Sequence, residues 1–322
     1  MATINDVAHL AGVSTATVSR ALNGKSTVDP ALAERVRSAA DELGYQPNGP
    51  ARNLRRRETA VFALIISDVE NPFFTAIARG VEDTAQTAGY SVVLCNSDEN
   101  PEKERRYIDV ALQERVAGVV LSPTGASPSI ERLRRGGTPV VAVDRPLIAC
   151  DQVLVDSRRA AREATEHLIA AGYTRIGCIG GPPGVRTADD RVAGYRDALH
   201  GRSPRLERRA EYRTTGGRQA ARDLLADSPD ALLVANSSMA IGVLEVLAEA
   251  GLRPGRDVGV VAFDDAPWTT LINPSLTVVA QPAREIGAEA ARLLLARIAE
   301  PAHPPVVTIL GAHLIPRGST RH

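Results

Sequence analysis

Residues 3–23 read TINDVAHLAGVSTATVSRALN, and this stretch decides how the N-terminus folds. Ile4, Val7, Ala8 and Ala11 recur at the spacing of one helical face, and Thr3 is a natural N-cap. Gly12-Val13 breaks that run. Ser14 then caps a second helix whose inward side is Val18, Ala21 and Leu22, and Asn23-Gly24 ends it. Asp29-Pro30 opens a third helix with Leu32, Val36, Ala39, Ala40 and Leu43 inward, and Gly44 stops it. Helix, tight turn and helix is the geometry that lays a second helix in the major groove of DNA. An ordinary helical hairpin with a polar outer face has the same periodicity, and spacing alone does not choose between them.

The residue types choose. The outward side of the second helix carries Thr15, Ala16, Ser19, Arg20 and Asn23. Small residues allow close approach, and an arginine there can fork onto a guanine edge. Ser14, Thr17, Ser19 and Asn23 are hydroxyl or amide groups able to donate to phosphates. The ordered set from Thr3 to Ala8 and from Ala11 to Asn23 closely resembles the start of LacI/GalR-family regulators. The resemblance continues through Leu43-Gly44-Tyr45-Gln46-Pro47-Asn48 and Ala51-Arg52-Asn53-Leu54.

That resemblance implies a DNA-binding domain over residues 1–47 and a hinge helix with linker over 48–58. It assigns DNA contacts to Thr3, Ser14, Thr15, Ala16, Thr17, Ser19, Arg20, Asn23, Asn48, Ala51, Arg52 and Leu54. Paired Leu54 side chains would wedge a central minor-groove step and bend the duplex. Gly49-Pro50 departs from the family pattern in the first turn of the hinge. Proline is tolerated there and glycine weakens the helix, so this hinge is expected to depend strongly on DNA and dimer contacts.

From Val61 the pattern changes. Short apolar runs alternate with helical stretches at 61–66, 91–94, 118–121, 140–143, 176–179, 231–235 and 258–263. Continuous runs of this kind are buried on both faces, as in a parallel sheet flanked by helices. The pattern begins twice, near Val61 and near Arg175, and Ala-Gly-Tyr follows a helix in each half, at 88–90 and at 171–173. The expected fold is therefore an all-α helix-turn-helix headpiece followed by a two-lobed, doubly wound α/β sensor domain over 59–322. The lobes are expected at about 59–156 plus 282–302, and at 157–281 plus 303–322.

Asn71, Phe73, Phe74, Asp144, Arg145, Arg191, Asn236, Asp264 and Gln281 lie just past strand ends or at the following helix starts. Each alone reads equally well as a cap, a core aromatic or a surface charge. In open α/β sheets, however, that edge is where ligands bind. Together the nine resemble the ligand shell of ribose-type sugar-binding proteins. Rings cover the C–H faces of a sugar, carboxylates and amides meet its hydroxyls, and arginine forks bridge neighbouring hydroxyls. Tyr212 is a further candidate ring. Ser237-Ser238 stands where the family commonly has an aspartate, and residues 314–320 only approximate its closing strand. The resemblance implies a small sugar-like effector, best a pentose, with a corepressor-dependent regulator that binds a nucleoside, purine or hexose as the alternative. It also implies a homodimer on a pseudo-palindromic operator, acting as a repressor.

Composition is consistent with these expectations without demanding them. The formal net charge is zero, yet residues 1–58 hold eight Lys/Arg against six Asp/Glu, so the headpiece is mildly basic. Cys95, Cys150 and Cys178 form neither a metal spacing nor a paired set, which suits a reducing compartment. Six dispersed histidines, no P-loop and no G-x-S-x-G elbow argue against an enzyme, a metal site or a cofactor. Gly177-Cys178-Ile179-Gly180-Gly181 is a poor match to a dinucleotide loop. The N-terminus lacks a basic and apolar leader, so a cytoplasmic location is expected rather than that of a secreted transport protein.

Overall fold

The computed structural model describes residues 2–22, 27–45, 59–125, 128–200 and 206–320. They form two compact units, Met1–Thr59 and Ala60–His322. The expected hinge helix over 48–58 lies outside the described residues.

The first unit is three helices: α1 (Ile4–Ala11), α2 (Thr15–Leu22) and α3 (Pro30–Glu42). Thr3 and Asp6 form a reciprocal capping box at the start of α1. Gly12 has φ +65°, a left-handed conformation that an L side chain resists, and it turns the chain into α2. Val7, Val18 and Val36, one from each helix, are completely buried together. Ala33 rather than Leu32 faces this small core, and Leu22 and Leu43 pack at its margin.

The second unit contains two six-stranded sheets. The first holds β1 (Val61–Ile66), β2 (Ser91–Asn96), β3 (Gly118–Leu121), β4 (Val140–Val143), β5 (Asp151–Val155) and β11 (Val307–Leu310), in the order 11-5-4-3-1-2. The second holds β6 (Ile176–Gly180), β7 (Leu206–Arg209), β8 (Ala231–Val234), β9 (Gly259–Phe263), β10 (Thr277–Ala280) and β12 (His313–Ile315), in the order 12-10-9-8-6-7. The two orders are the same topology used twice. All pairings are parallel except β12, which runs antiparallel to β10.

Each sheet is covered on both faces because its strands alternate. In β1, Phe62, Leu64 and Ile66 meet α4 (Pro72–Thr87) and α11 (Ala283–Ala299). Ala63 and Ile65 meet α5 (Pro101–Gln113) and α6 (Pro128–Arg135) on the other face. In the second lobe, α7 (Ser157–Ala170) and α8 (Arg186–Leu199) cover one face; α9 (Thr214–Leu225) and α10 (Ser237–Glu249) cover the other.

The chain passes between the lobes three times, after β5, after β10 and after β11. The last crossing corrects the expected boundary. Residues 307–310 pair in register with β5, so they belong to the first lobe, and the switch falls at Gly311-Ala312. Asp151 explains the placement: its carboxylate accepts from the Val306 amide at 2.8 Å and pairs with Arg297 at 2.8 Å, tying the segment before β11 to the first sheet. No helix among the described residues is long and apolar enough to cross a membrane.

Candidate functional site

In the first unit, α2 turns Val18 and Ala21 inward and leaves Thr15, Ala16 and Arg20 exposed on one outer stripe. Arg20 has no ion-pair partner among the described residues, so its guanidinium is available. Ser19 and Thr17 are half-buried at the edges of the stripe. Ser14 Oγ accepts from the Thr17 amide at 3.2 Å and shares a hydrogen bond with Thr17 Oγ1 at 2.9 Å, so these hydroxyls cap the helix. If Thr17 donates in that pair, the Ser14 hydroxyl hydrogen remains free, beside the unpaired first-turn amides that make a helix N-terminus a phosphate site. Exposed Thr3 spends its side chain on Asp6, accepting from the Asp6 amide and donating to Asp6 Oδ2 at 2.7 Å. Asn23, Asn48, Ala51, Arg52 and Leu54 lie outside the described residues.

In the second unit, all nine sequence-selected residues line one cleft between the lobes. Their positions follow from strand ends. Asn71 caps α4 through its side-chain oxygen, which accepts from the Phe73 amide at 3.0 Å. Asn236 caps α10 in the same way, accepting from the Met239 amide at 2.8 Å. In each, the oxygen serves the helix while the residue lines the cleft. Phe73 and Phe74 meet edge to face, with ring centroids 5.1 Å apart.

Asp144 follows β4 with φ +64°, and Asp264 follows β9 with φ +75°. The two are topological equivalents, one per lobe. Each backbone amide donates to the neighbouring strand, Asp144 to Val153 and Asp264 to Val279. Left-handed backbone at two buried aspartates is strain held in place by the sheets, as is common at ligand sites. Burial pushes both carboxyls above the ordinary aspartate range, against the pull of Arg145 and Arg191 on Asp144 and of Arg191 on Asp264. Gln281 donates to Asp264 Oδ1 at 2.6 Å and orients it.

Arg145 is fixed by a two-pronged pair with Glu99, at 2.8 and 2.5 Å, and by the Pro123 carbonyl. Arg191 donates to the Ala235 carbonyl at 2.6 Å and lies 4.2 Å over the Phe263 ring. Arg191 Nε is buried with no hydrogen-bond partner among the described residues, Arg145 Nε lies 3.5 Å from Asp144 Oδ2, and Tyr212 Oη is buried beside Thr187. A buried donor is costly to leave unpaired, so Arg191 Nε is placed to meet a polar group in the cleft.

The structure adds Asp68, Glu99 and Thr187 to the lining and places Tyr212 firmly in it. Asp68 and Glu99 also follow strand ends, a signal open to sequence reading; what hides them is that their partners are distant arginines. Gly181 has a packing role: a Cβ there would lie 2.2 Å from the Tyr212 ring.

Residues 3–48 match the family described as bacterial regulatory proteins, lacI family, and residues 165–320 match the periplasmic binding protein-like domain. The ribose operon repressor of Halalkalibacterium halodurans is 39% identical over 92% of this chain and 91% of its own length. The lac repressor dimer bound to operator and the anti-inducer ONPF superposes with TM-score 0.88 at 28% identity, over 100% of this chain and 99% of that one. A LacI family transcriptional regulator from Enterococcus faecium with bound ribose gives TM-score 0.75 at 26% identity, over 81% of this chain and 98% of that one. The chain belongs to the LacI family of bacterial regulatory proteins.

Proposed function

We propose that this protein is a homodimeric operator-binding repressor whose DNA affinity is controlled by ribose or a closely related pentose in the inter-lobe cleft. The observation that carries the reading is the composition of that cleft. Carboxylates, amide groups, two buried arginines and a pair of phenylalanines converge there, which is the chemistry of a small polyhydroxylated ring with apolar C–H faces. The relatives named as ribose operon repressors, and the related structure that holds ribose, support the same choice.

The headpiece supplies DNA reading through Arg20 and the small residues Thr15 and Ala16, with Ser14, Thr17 and Ser19 at the backbone. Asn23 and the hinge residues Asn48, Ala51, Arg52 and Leu54 complete the proposed contact set. One protomer on each half-site matches the two-fold symmetry of a pseudo-palindrome. No cofactor enters the reading.

A second effector reading has one observation in its favour. A second groove borders Arg145, lined by Leu147 and Ile148 of the first lobe and Val185 and Arg186 of the second. It leaves space for a substituent on the sugar, so a nucleoside belongs in the same assay. Titration calorimetry with pentoses, hexoses and nucleosides tests the choice. Heat with ribose and none with hexoses is expected; binding of a hexose alone contradicts the reading.

A further inference from the structure

The two lobes are bridged beside the cleft by an ion-pair cluster centred on Arg213, which is not among the lining residues. Arg213 follows Tyr212 in the second lobe, immediately before α9, and does not line the pocket. Its guanidinium reaches three carboxylates of the first lobe: Asp68 at 3.4 Å, Glu70 at 3.6 Å and Asp98 in closer contact. Asp68 is itself buried and lines the cleft. Lys103 also pairs with Asp98, at 3.1 Å, but it belongs to the first lobe and cannot join the two.

The carboxylates are held out for this purpose at a conformational cost. Asp98 and Glu99 are consecutive left-handed residues, with φ +58° and +54°. Two adjacent non-glycine residues in that region are unfavourable unless their contacts repay the strain. Here one turn directs Asp98 to Arg213 across the cleft and Glu99 to Arg145 within it. Among the described residues, no other cation of the opposite lobe pairs with Asp68, Glu70 or Asp98.

We propose that Arg213 is a positioning residue that clamps the two lobes together and thereby holds Tyr212 over the effector. Part of the effector affinity, and of its dependence on salt, then resides in a side chain that touches no effector atom. The proposal rests on the cleft being the effector site, as argued above.

The test uses the full-length protein and its Arg213→Gln and Arg213→Lys variants. Ribose affinity is measured by calorimetry at about 0.05 M and about 0.5 M salt, where screening of partly exposed charges differs strongly. Arg213→Gln is expected to weaken ribose binding roughly three- to tenfold at low salt and to flatten the salt dependence; Arg213→Lys recovers part of both. Backbone hydrogen exchange without sugar supplies a readout independent of effector identity. Exchange is expected to rise in the segments around Tyr212 and around Phe73-Phe74 in Arg213→Gln. It should stay unchanged in Arg196→Gln, whose partner Glu207 lies in the same lobe. Wild-type affinity and salt dependence in Arg213→Gln, with unchanged exchange at the cleft, would overturn the clamp. If ribose binds neither protein, the pentose reading fails and exchange alone decides: faster exchange supports the clamp, and unchanged exchange overturns it.

Discussion

At the scale of single residues, each reading head has one side chain whose removal is diagnostic. Arg20 is exposed on α2 with its small neighbours, so Arg20→Ala is expected to cost about 1–3 kcal/mol of discrimination at one base pair, with the headpiece still folded. Selection of operator sequence with the variant reads this as relaxed preference at that position. In the cleft, Asp144→Asn removes a charged acceptor and is expected to weaken ribose binding about ten- to a hundredfold. The pH dependence follows from burial of the same carboxyl. Its folded value lies above the ordinary 3.8, so its contribution to stability is present below 3.8 and lost as pH rises through the folded value. An effector hydroxyl that donates to the ionised group pulls the other way. Ribose binding should therefore weaken as pH falls through that raised range, with proton release on binding; calorimetry in buffers of different ionisation enthalpy measures it. The convergence of the nine lining residues is legible in the sequence because strand-end positions gather them at one sheet edge and their types together resemble a family ligand shell, although none is diagnostic alone. Glu99 and Asp68 escape notice because their importance comes from arginines 46 and 145 residues away.

At the scale of elements, caps and close packing set the local stability. Thr3→Ala removes half of the capping box of α1 and should cost the headpiece about 1 kcal/mol. In the first lobe, α4 and α11 approach so closely that a Cβ on Gly80 would lie 2.0 Å from the Arg284 carbonyl oxygen. Gly80→Ala is therefore expected to force the helices apart, at a cost of about 1–3 kcal/mol in thermal or denaturant unfolding. The strands read from sequence include the buried, continuously apolar β3 and β4 and also the largely exposed edge strand β2, whose run is apolar. Those missed include the interior strands β5 and β10 and two polar or half-exposed edge strands. β7 is Leu206-Glu207-Arg208-Arg209 at a sheet edge, and β11 alternates exposed and half-buried residues at the opposite edge of the other sheet. An edge strand needs only one hydrogen-bonding neighbour and can keep a wet face, so its hydrophobic signal is weak. That is why the last lobe crossing was displaced from its expected position.

At the scale of the molecule, the two compact units divide the labour. A chain beginning at Thr59 should keep the ribose affinity of the full protein and lose operator binding entirely, because no residue lining the cleft comes from the headpiece. The repeated sheet topology places one left-handed aspartate on each side of the cleft, so both lobes contribute a buried carboxyl to its lining. A ligand that bridges the lobes stabilises their closed arrangement by its differential affinity for it, and only that difference can alter DNA binding. The most direct measurement is operator affinity, by fluorescence anisotropy on a site recovered by in-vitro selection, titrated with ribose in the wild type and in Asp144→Asn. Ribose should lower the affinity of the wild type while Asp144→Asn binds operator equally well and hardly responds. Operator affinity that is indifferent to ribose in the wild type, or an equal response in Asp144→Asn, would contradict the account.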